Sequence, residues 1–130
     1  MKAVAIPEVN NVQIAGYLPR DPLLKQTKRG WPVVEITVVM VRRRPHRTTG
    51  RLVDEHTYVV VEAWGQTAEE LKELNLRKGS VVVVNGHLHL QTWTRPTGER
   101  RNRLIVLCSR IRPILPRADV YELEEDEANG

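Results

Sequence analysis

Tyr58, Trp64 and Trp93 stand on valine-rich or alternating stretches. Beside them lie two runs crowded with arginine: Arg42, Arg43, Arg44, Arg47 and Arg51, then Arg95, Arg100, Arg101 and Arg103. Unpaired bases expose flat π faces that stack on aromatic rings at about 1–3 kcal/mol each, while cationic side chains neutralise the phosphates that follow. Rings interleaved with arginine therefore point to single-stranded nucleic acid. The choice of arginine over lysine favours planar, paired contacts to phosphate and stacking on bases. Trp31, between Gly30 and Pro32, is a fourth ring with two readings, base contact and packing or subunit contact. A charge run is by default a solvated face, so the arginines take their meaning from the rings.

Other chemistries have thinner support. His87 and His89 fall on one face of a strand at i, i+2, but a zinc site needs further ligands, and Cys108 lies on a different strand. The acids that a metal-dependent nuclease would need, Asp21, Glu35, Asp54, Glu55 and Glu62, have no recognisable ligand spacing. Cys108 follows Ile105, Val106 and Leu107 and reads as a small core residue with no neighbouring base. No catalytic residue, metal site or cofactor is assigned.

The chain has 130 residues, enough for one core. All 20 Lys+Arg fall in residues 1–117 against 10 Asp+Glu, a balance of +10, whereas residues 118–130 carry six acids and no base, a balance of −6. The expectation is one basic domain, 1–117, and a disordered acidic tail, 118–130. That tail reads as a solubilising end, or as a segment that competes for the basic groove or recruits other proteins. A basic body attracts polyanions in general, so charge alone does not separate DNA from RNA or acidic lipid. No apolar run approaches the roughly 20 residues that span a bilayer. The first residues lack a signal-like apolar stretch, and a lone cysteine cannot close an internal disulfide, so a reducing cytoplasm is the expected setting.

The elements that must position these rings follow from periodicity. Residues 12–16 begin a strand that Pro19 and Pro22 interrupt, and residues 33–41 form a second, β-branched strand passing into a long basic loop over 42–51. Residues 56–64 form a third, with Tyr58, Val60, Glu62 and Trp64 sharing one face. Thr67 and Glu70 have capping-box spacing ahead of a short helix that Gly79 would end. Residues 80–93 are a long fourth strand, bent at Asn85-Gly86, with His87, His89, Gln91 and Trp93 on one face; residues 94–100 turn into a returning strand over 102–111. Three strands, a short helix and two strands predict an all-β, five-stranded Greek-key barrel, the OB-fold, with its helix between the third and fourth strands.

Four segments in order, residues 11–22, 58–65, 76–86 and 93–98, resemble the bacterial single-stranded DNA-binding protein family, and together they cover about residues 10–115. The resemblance implies a non-enzymatic, sequence-tolerant coat for single-stranded DNA in replication, recombination and repair, assembled as a homotetramer. It also implies that Tyr58, Trp64 and Trp93 occupy base-stacking positions. Arg44 stands where many members carry a further tryptophan, which turns one stacking position into a phosphate or cation–π contact. Family tails often end in a Pro-Phe tip that docks replication and repair enzymes; residues 124–130 have the acidity without that tip. An alternative reading is therefore an accessory OB-fold protein of restart or repair acting mainly through protein contacts.

Overall fold

Valine-rich stretches with period-two alternation become strands because branched side chains pack well on a pleated surface. The computed structural model describes residues 4–115. Its elements are β1 (Val12–Tyr17), β2 (Leu23–Gln26), β3 (Pro32–Pro45), β4 (Leu52–Trp64), α1 (Gln66–Glu73), β5 (Val81–Thr94) and β6 (Arg100–Ile114). The strand order is β1-β5-β6-β4-β3-β2, and β1 also meets β3 at Tyr17 and Val39, which closes a circuit of five long strands. This is the OB barrel, with its helix between β4 and β5. The acidic segment 118–130 and the boundary at 117 lie outside the described residues. Among the described residues no helix is long and apolar enough to cross a membrane.

One side of each barrel strand, β2 on the edge of β3 excepted, faces the core. Val34, Ile36 and Val38 of β3 meet Val61 and Ala63 of β4, Val82 and Val84 of β5, and Val106 of β6, and α1 adds Ala68 and Leu71. Each aliphatic side chain fully buried there contributes about 1.5–3 kcal/mol, so a core without phenylalanine suffices. Closure demands two close backbone approaches. A Cβ on Gly16 would lie 2.1 Å from the Val39 carbonyl oxygen, and one on Gly86, at the register shift between Asn85 and Gly86, 2.1 Å from that of Leu107. Because backbone cannot step aside as a side chain can, Gly86→Ala should cost about 1–3 kcal/mol. Urea denaturation checks this: an unchanged midpoint would mean that β5 reseats freely. Just ahead of β1, Asn10 stands in for a ladder residue, its Nδ2 donating to the Leu88 carbonyl (2.9 Å) and its Oδ1 accepting from the Leu88 N–H (2.8 Å).

The strand alternation and the bend at Asn85-Gly86 match expectation, and three local features differ. Leu23–Gln26 forms an additional strand on the edge of β3, from Leu23 opposite Glu35 to Gln26 opposite Pro32. All four of its residues are exposed, so no apolar alternation announced it. The basic stretch after Val41 is not a loop: β3 and β4 stay paired through Arg42 with Glu55, Arg43 with Asp54, Arg44 with Val53 and Pro45 with Leu52. Opposite charges hold this arm, Arg43 Nε to Asp54 Oδ1 at 3.0 Å and Arg44 Nε to Glu55 Oε2 at 2.6 Å, a cross-strand effect of about 0.2–1 kcal/mol per pair.

The helix is the third difference. It starts at Gln66 and is capped by Gly65, whose carbonyl accepts the Glu69 N–H and whose positive φ (58°) turns the chain out of β4. Thr67 therefore lies inside the first turn and makes no capping bond. The left-handed residue that ends the helix is Asn75 (φ 51°), the usual second choice after glycine. Gly79 (φ 92°) instead shapes the following turn, its N–H donating to the Leu18 carbonyl at 2.7 Å.

Candidate nucleic-acid interface

The barrel face opposite the core carries the rings. In the β3–β4 register Tyr58 faces Val39, Glu62 faces Glu35 and Trp64 faces Val33, so these side chains share that face. Tyr58 is 65% exposed, Trp64 47%, Trp93 41% and Trp31 59%, whereas Val61 and Ala63, between them in sequence, are fully buried. An indole buried in the core has no face to offer a base; these four do.

Beside two of the rings, Trp64 and Trp93, lies a polar network that holds their indoles. Trp64 Nε1 donates to Glu62 Oε1 at 3.0 Å, and Gln91 Nε2 donates to Glu62 Oε2 at 2.9 Å. Arg103 Nε donates to Gln91 Oε1 at 2.7 Å, while its Nη2 reaches Glu35 Oε1 at 2.8 Å and Glu62 Oε2 at 3.3 Å. Lys25 Nζ closes the network on Glu35 Oε1 at 2.9 Å. Two carboxylates directly opposite on adjacent strands would repel; Arg103 and Lys25 turn that pair into an anchor. Burial alone would raise the Glu35 carboxyl, but the hydrogen bonds from Lys25 and Arg103 outweigh it and hold that group below the usual carboxylate value. The Arg103 guanidinium also lies 5.8 Å from the Trp93 ring centroid, a cation–π distance. Hydrogen bonds and ring contact thus join Trp64 to Trp93 through Glu62, Gln91 and Arg103.

Sequence reading placed all nine arginines around the aromatic face, and the register divides them. Arg43 shares the side of Tyr58, and Arg101 and Arg103 share that of Trp93; Arg42, Arg44 and Arg100 project from the reverse sides of the same arms. Arg47 and Arg51 flank the β3–β4 turn and are exposed. Arg95 and Arg101 are held by Glu99, at 4.0 and 2.9 Å. Among the described residues Arg42, Arg47, Arg51 and Arg100 make no ion pair. The Arg43 hydrogen bond holds the exposed Asp54 carboxyl below its usual value.

The sequence puts Glu62 and Gln91 on the ring-bearing faces, but the only chemistry weighed for Glu35 and Glu62 is metal binding, and Gln91 and Lys25 receive no role. The signal that finds them is phase: Glu62 is two residues from Trp64, and Gln91 is two from Trp93. A cleft of about 390 Å³ opens beside this network, lined by Glu62, Trp64, His87, His89, Gln91, Leu107 and Cys108. Burial pushes the Cys108 thiol up to about 11, so at neutral pH it stays protonated. Among the described residues no three His, Cys, Asp or Glu gather as a metal cluster.

Comparison with known proteins identifies the family. The model of the single-strand binding protein family matches residues 9–114. The chain is 35% identical over 122 residues to single-stranded DNA-binding protein 2 of Chlorobaculum tepidum, spanning 93% of this chain and 81% of that protein. It is 30% identical over 120 residues to the single-stranded DNA-binding protein of Aquifex aeolicus, spanning 92% and 80%. Among solved structures, a Plasmodium falciparum SSB in complex with ssDNA superposes with a TM-score of 0.73 at 19% identity, covering 86% of this chain and all of that one. A deletion mutant of the Thermus aquaticus single-stranded DNA binding protein gives 0.70 at 25% identity, covering 84% and 52%. A family match across the whole barrel and relatives aligned over about four fifths of their length lead to one conclusion: the chain belongs to the single-strand binding protein family.

Proposed function

We propose that this chain binds single-stranded DNA with little regard to sequence, as a binding protein and not an enzyme, and protects it during replication, recombination and repair. The observation that carries this reading is the row of exposed rings at Tyr58, Trp64 and Trp93, with both indoles held by the polar network beside them. Stacking on rings is indifferent to base identity because every base has a π face. Arg42, Arg47, Arg51 and Arg100, without ion pairs among the described residues, take phosphate directly. Arg43, Arg44, Arg95 and Arg101 exchange a carboxylate for a phosphate, and Arg103 serves mainly to position Trp93.

Titration with oligo(dT) while following tryptophan fluorescence tests this. Strong quenching is expected, with an affinity that falls as salt rises, the log–log slope being about −0.7 per phosphate neutralised. Weak binding without quenching would favour an accessory protein that works through protein contacts, and the acidic residues 118–130 are the segment through which replication and repair proteins would be recruited in either case.

A homo-oligomer, with a tetramer as the expected form, belongs to the same reading. Leu88 and Leu90 of β5 and Leu104 of β6 share a side of their hairpin and are 44%, 54% and 60% exposed, an apolar patch that a second copy of the chain covers. Light scattering should show Leu90→Asp/Leu104→Asp at a smaller mass than the unaltered chain, and equal masses would exclude this patch as the contact.

A further inference from the structure

A second cleft, of about 400 Å³, opens beside Trp64 and is lined by Thr27, Lys28, Arg29, Trp31 and Trp64. Its walls are built. The turn between β2 and β3 is closed by Thr27 N–H donating to the Trp31 carbonyl (3.0 Å), Gly30 N–H donating to the Thr27 carbonyl (2.8 Å), and Trp31 N–H donating to Thr27 Oγ1 (3.1 Å). The Trp31 ring rests beside Gly65, 3.8 Å from where a Cβ would stand there, and Gly65 N–H donates to the Pro32 carbonyl at 3.0 Å. Trp64, which also lines the cleft, has its indole N–H held by Glu62. Lys28 and Arg29 are exposed at the turn and, among the described residues, make no ion pair. They differ in this from Arg43, Arg44 and Arg103, whose charges are already engaged.

We propose that this cleft is an additional nucleotide subsite, in which one unpaired base of the DNA strand lies against the indoles of Trp31 and Trp64 while Lys28 and Arg29 hold its flanking phosphates. The occupant follows from chemistry and continuity. An apolar cleft lined by two indoles suits a π face, two cations without an ion pair among the described residues suit an anion, and Trp64 is shared with the ring row, so the same strand arrives already oriented. Binding here lengthens the strand's path past Trp64 to the β2–β3 turn. The inference rests on the single-stranded DNA reading above.

The test uses the full chain on oligo(dT) of increasing length, beside Trp31→Ala, Trp31→Phe and Lys28→Ala/Arg29→Ala. Trp31→Ala should weaken binding by about fivefold or more, the loss of one stacked base. Trp31→Phe, which keeps a ring, should recover most of the affinity. Removing both cations should make the salt slope shallower by about 1.4, two phosphates at 0.7 each. Photocrosslinking of the unaltered chain to 5-iodouracil-substituted oligo(dT) should yield a peptide adduct at Trp31, a readout that needs no variant to fold. If the unaltered chain binds with quenching while Trp31→Ala keeps its affinity and crosslinks form only at Trp64 and Trp93, the subsite is disproved and the broader reading stands. A variant that changes oligomeric mass and leaves affinity alone would make Trp31 a subunit contact, and would equally overturn the proposal. Failure of the unaltered chain to bind oligo(dT) at all is a different result, which removes the broader reading as well.

Discussion

Replacing both Trp64 and Trp93 by alanine should weaken oligo(dT) binding by about 2–6 kcal/mol, roughly 30-fold to 10⁴-fold, the sum of two stacked bases. The fold should tolerate the change, because both rings stand on the outer face, 47% and 41% exposed, and neither belongs to the buried cluster. Removing Trp64 does release one Glu62 oxygen from its indole donor, but Gln91 and Arg103 still hold that carboxylate. A far-UV circular dichroism melt separates lost binding from lost structure. Phenylalanine at both positions keeps a π face and should retain much of the affinity, so the pair of variants distinguishes stacking from mere bulk. An affinity for the alanine variant within about threefold of the unaltered chain would be less than one stacked base is worth, and would sink the stacking mode.

The second large effect is expected at Arg103. Arg103→Met keeps the aliphatic bulk but leaves Glu35 and Glu62 opposite each other with Lys25, among the described residues, the one cation still paired to them, and Glu62 is 2% exposed. Removing one partner from a buried ion pair costs about 3–5 kcal/mol; because Arg103 itself is partly exposed, about 3 kcal/mol is the expected loss at pH 7. Urea denaturation measures it. The pH dependence has a definite sign. A carboxyl held low in the folded state, as Glu35 is, stabilises above its unfolded pKa near 4.3, and that contribution fades as pH falls through the lower folded value. Stability of the unaltered chain should therefore drop below about pH 4.3, and the gap to Arg103→Met should narrow there as Glu35 protonates in the variant too. A gap independent of pH would mean that Arg103 stabilises by packing alone. Binding should weaken as well, since Trp93 loses the guanidinium beside it.

Much of this was legible before any coordinates. Alternation in residues 56–64 and 80–93 places Tyr58, Trp64 and Trp93 on polar faces, because a strand's side-chain period is fixed by its pleat, and the Asn-Gly pair marks the bend in β5. The β3–β4 arm was less legible: an arginine run lacks β-propensity, and what holds it extended is pairing with residues 52–55 across the turn, Asp54 and Glu55 adding ion pairs. The same limit hid β2, which exists by bonding to the edge of β3, and the network beside the rings, which joins Lys25, Glu35, Glu62, Gln91 and Arg103 from five strands. Such pairings depend on register between segments far apart in sequence, which local pattern does not encode.

The side chain of Asn10 has one more consequence. By occupying the amide and carbonyl of Leu88, it leaves no vacant hydrogen-bonding pair at that point on the rim of β5. A foreign extended segment seeking to zip onto the long β5–β6 hairpin finds that rung taken, so the molecule carries a guard there against runaway strand-to-strand aggregation, made from one amide and no extra length of chain.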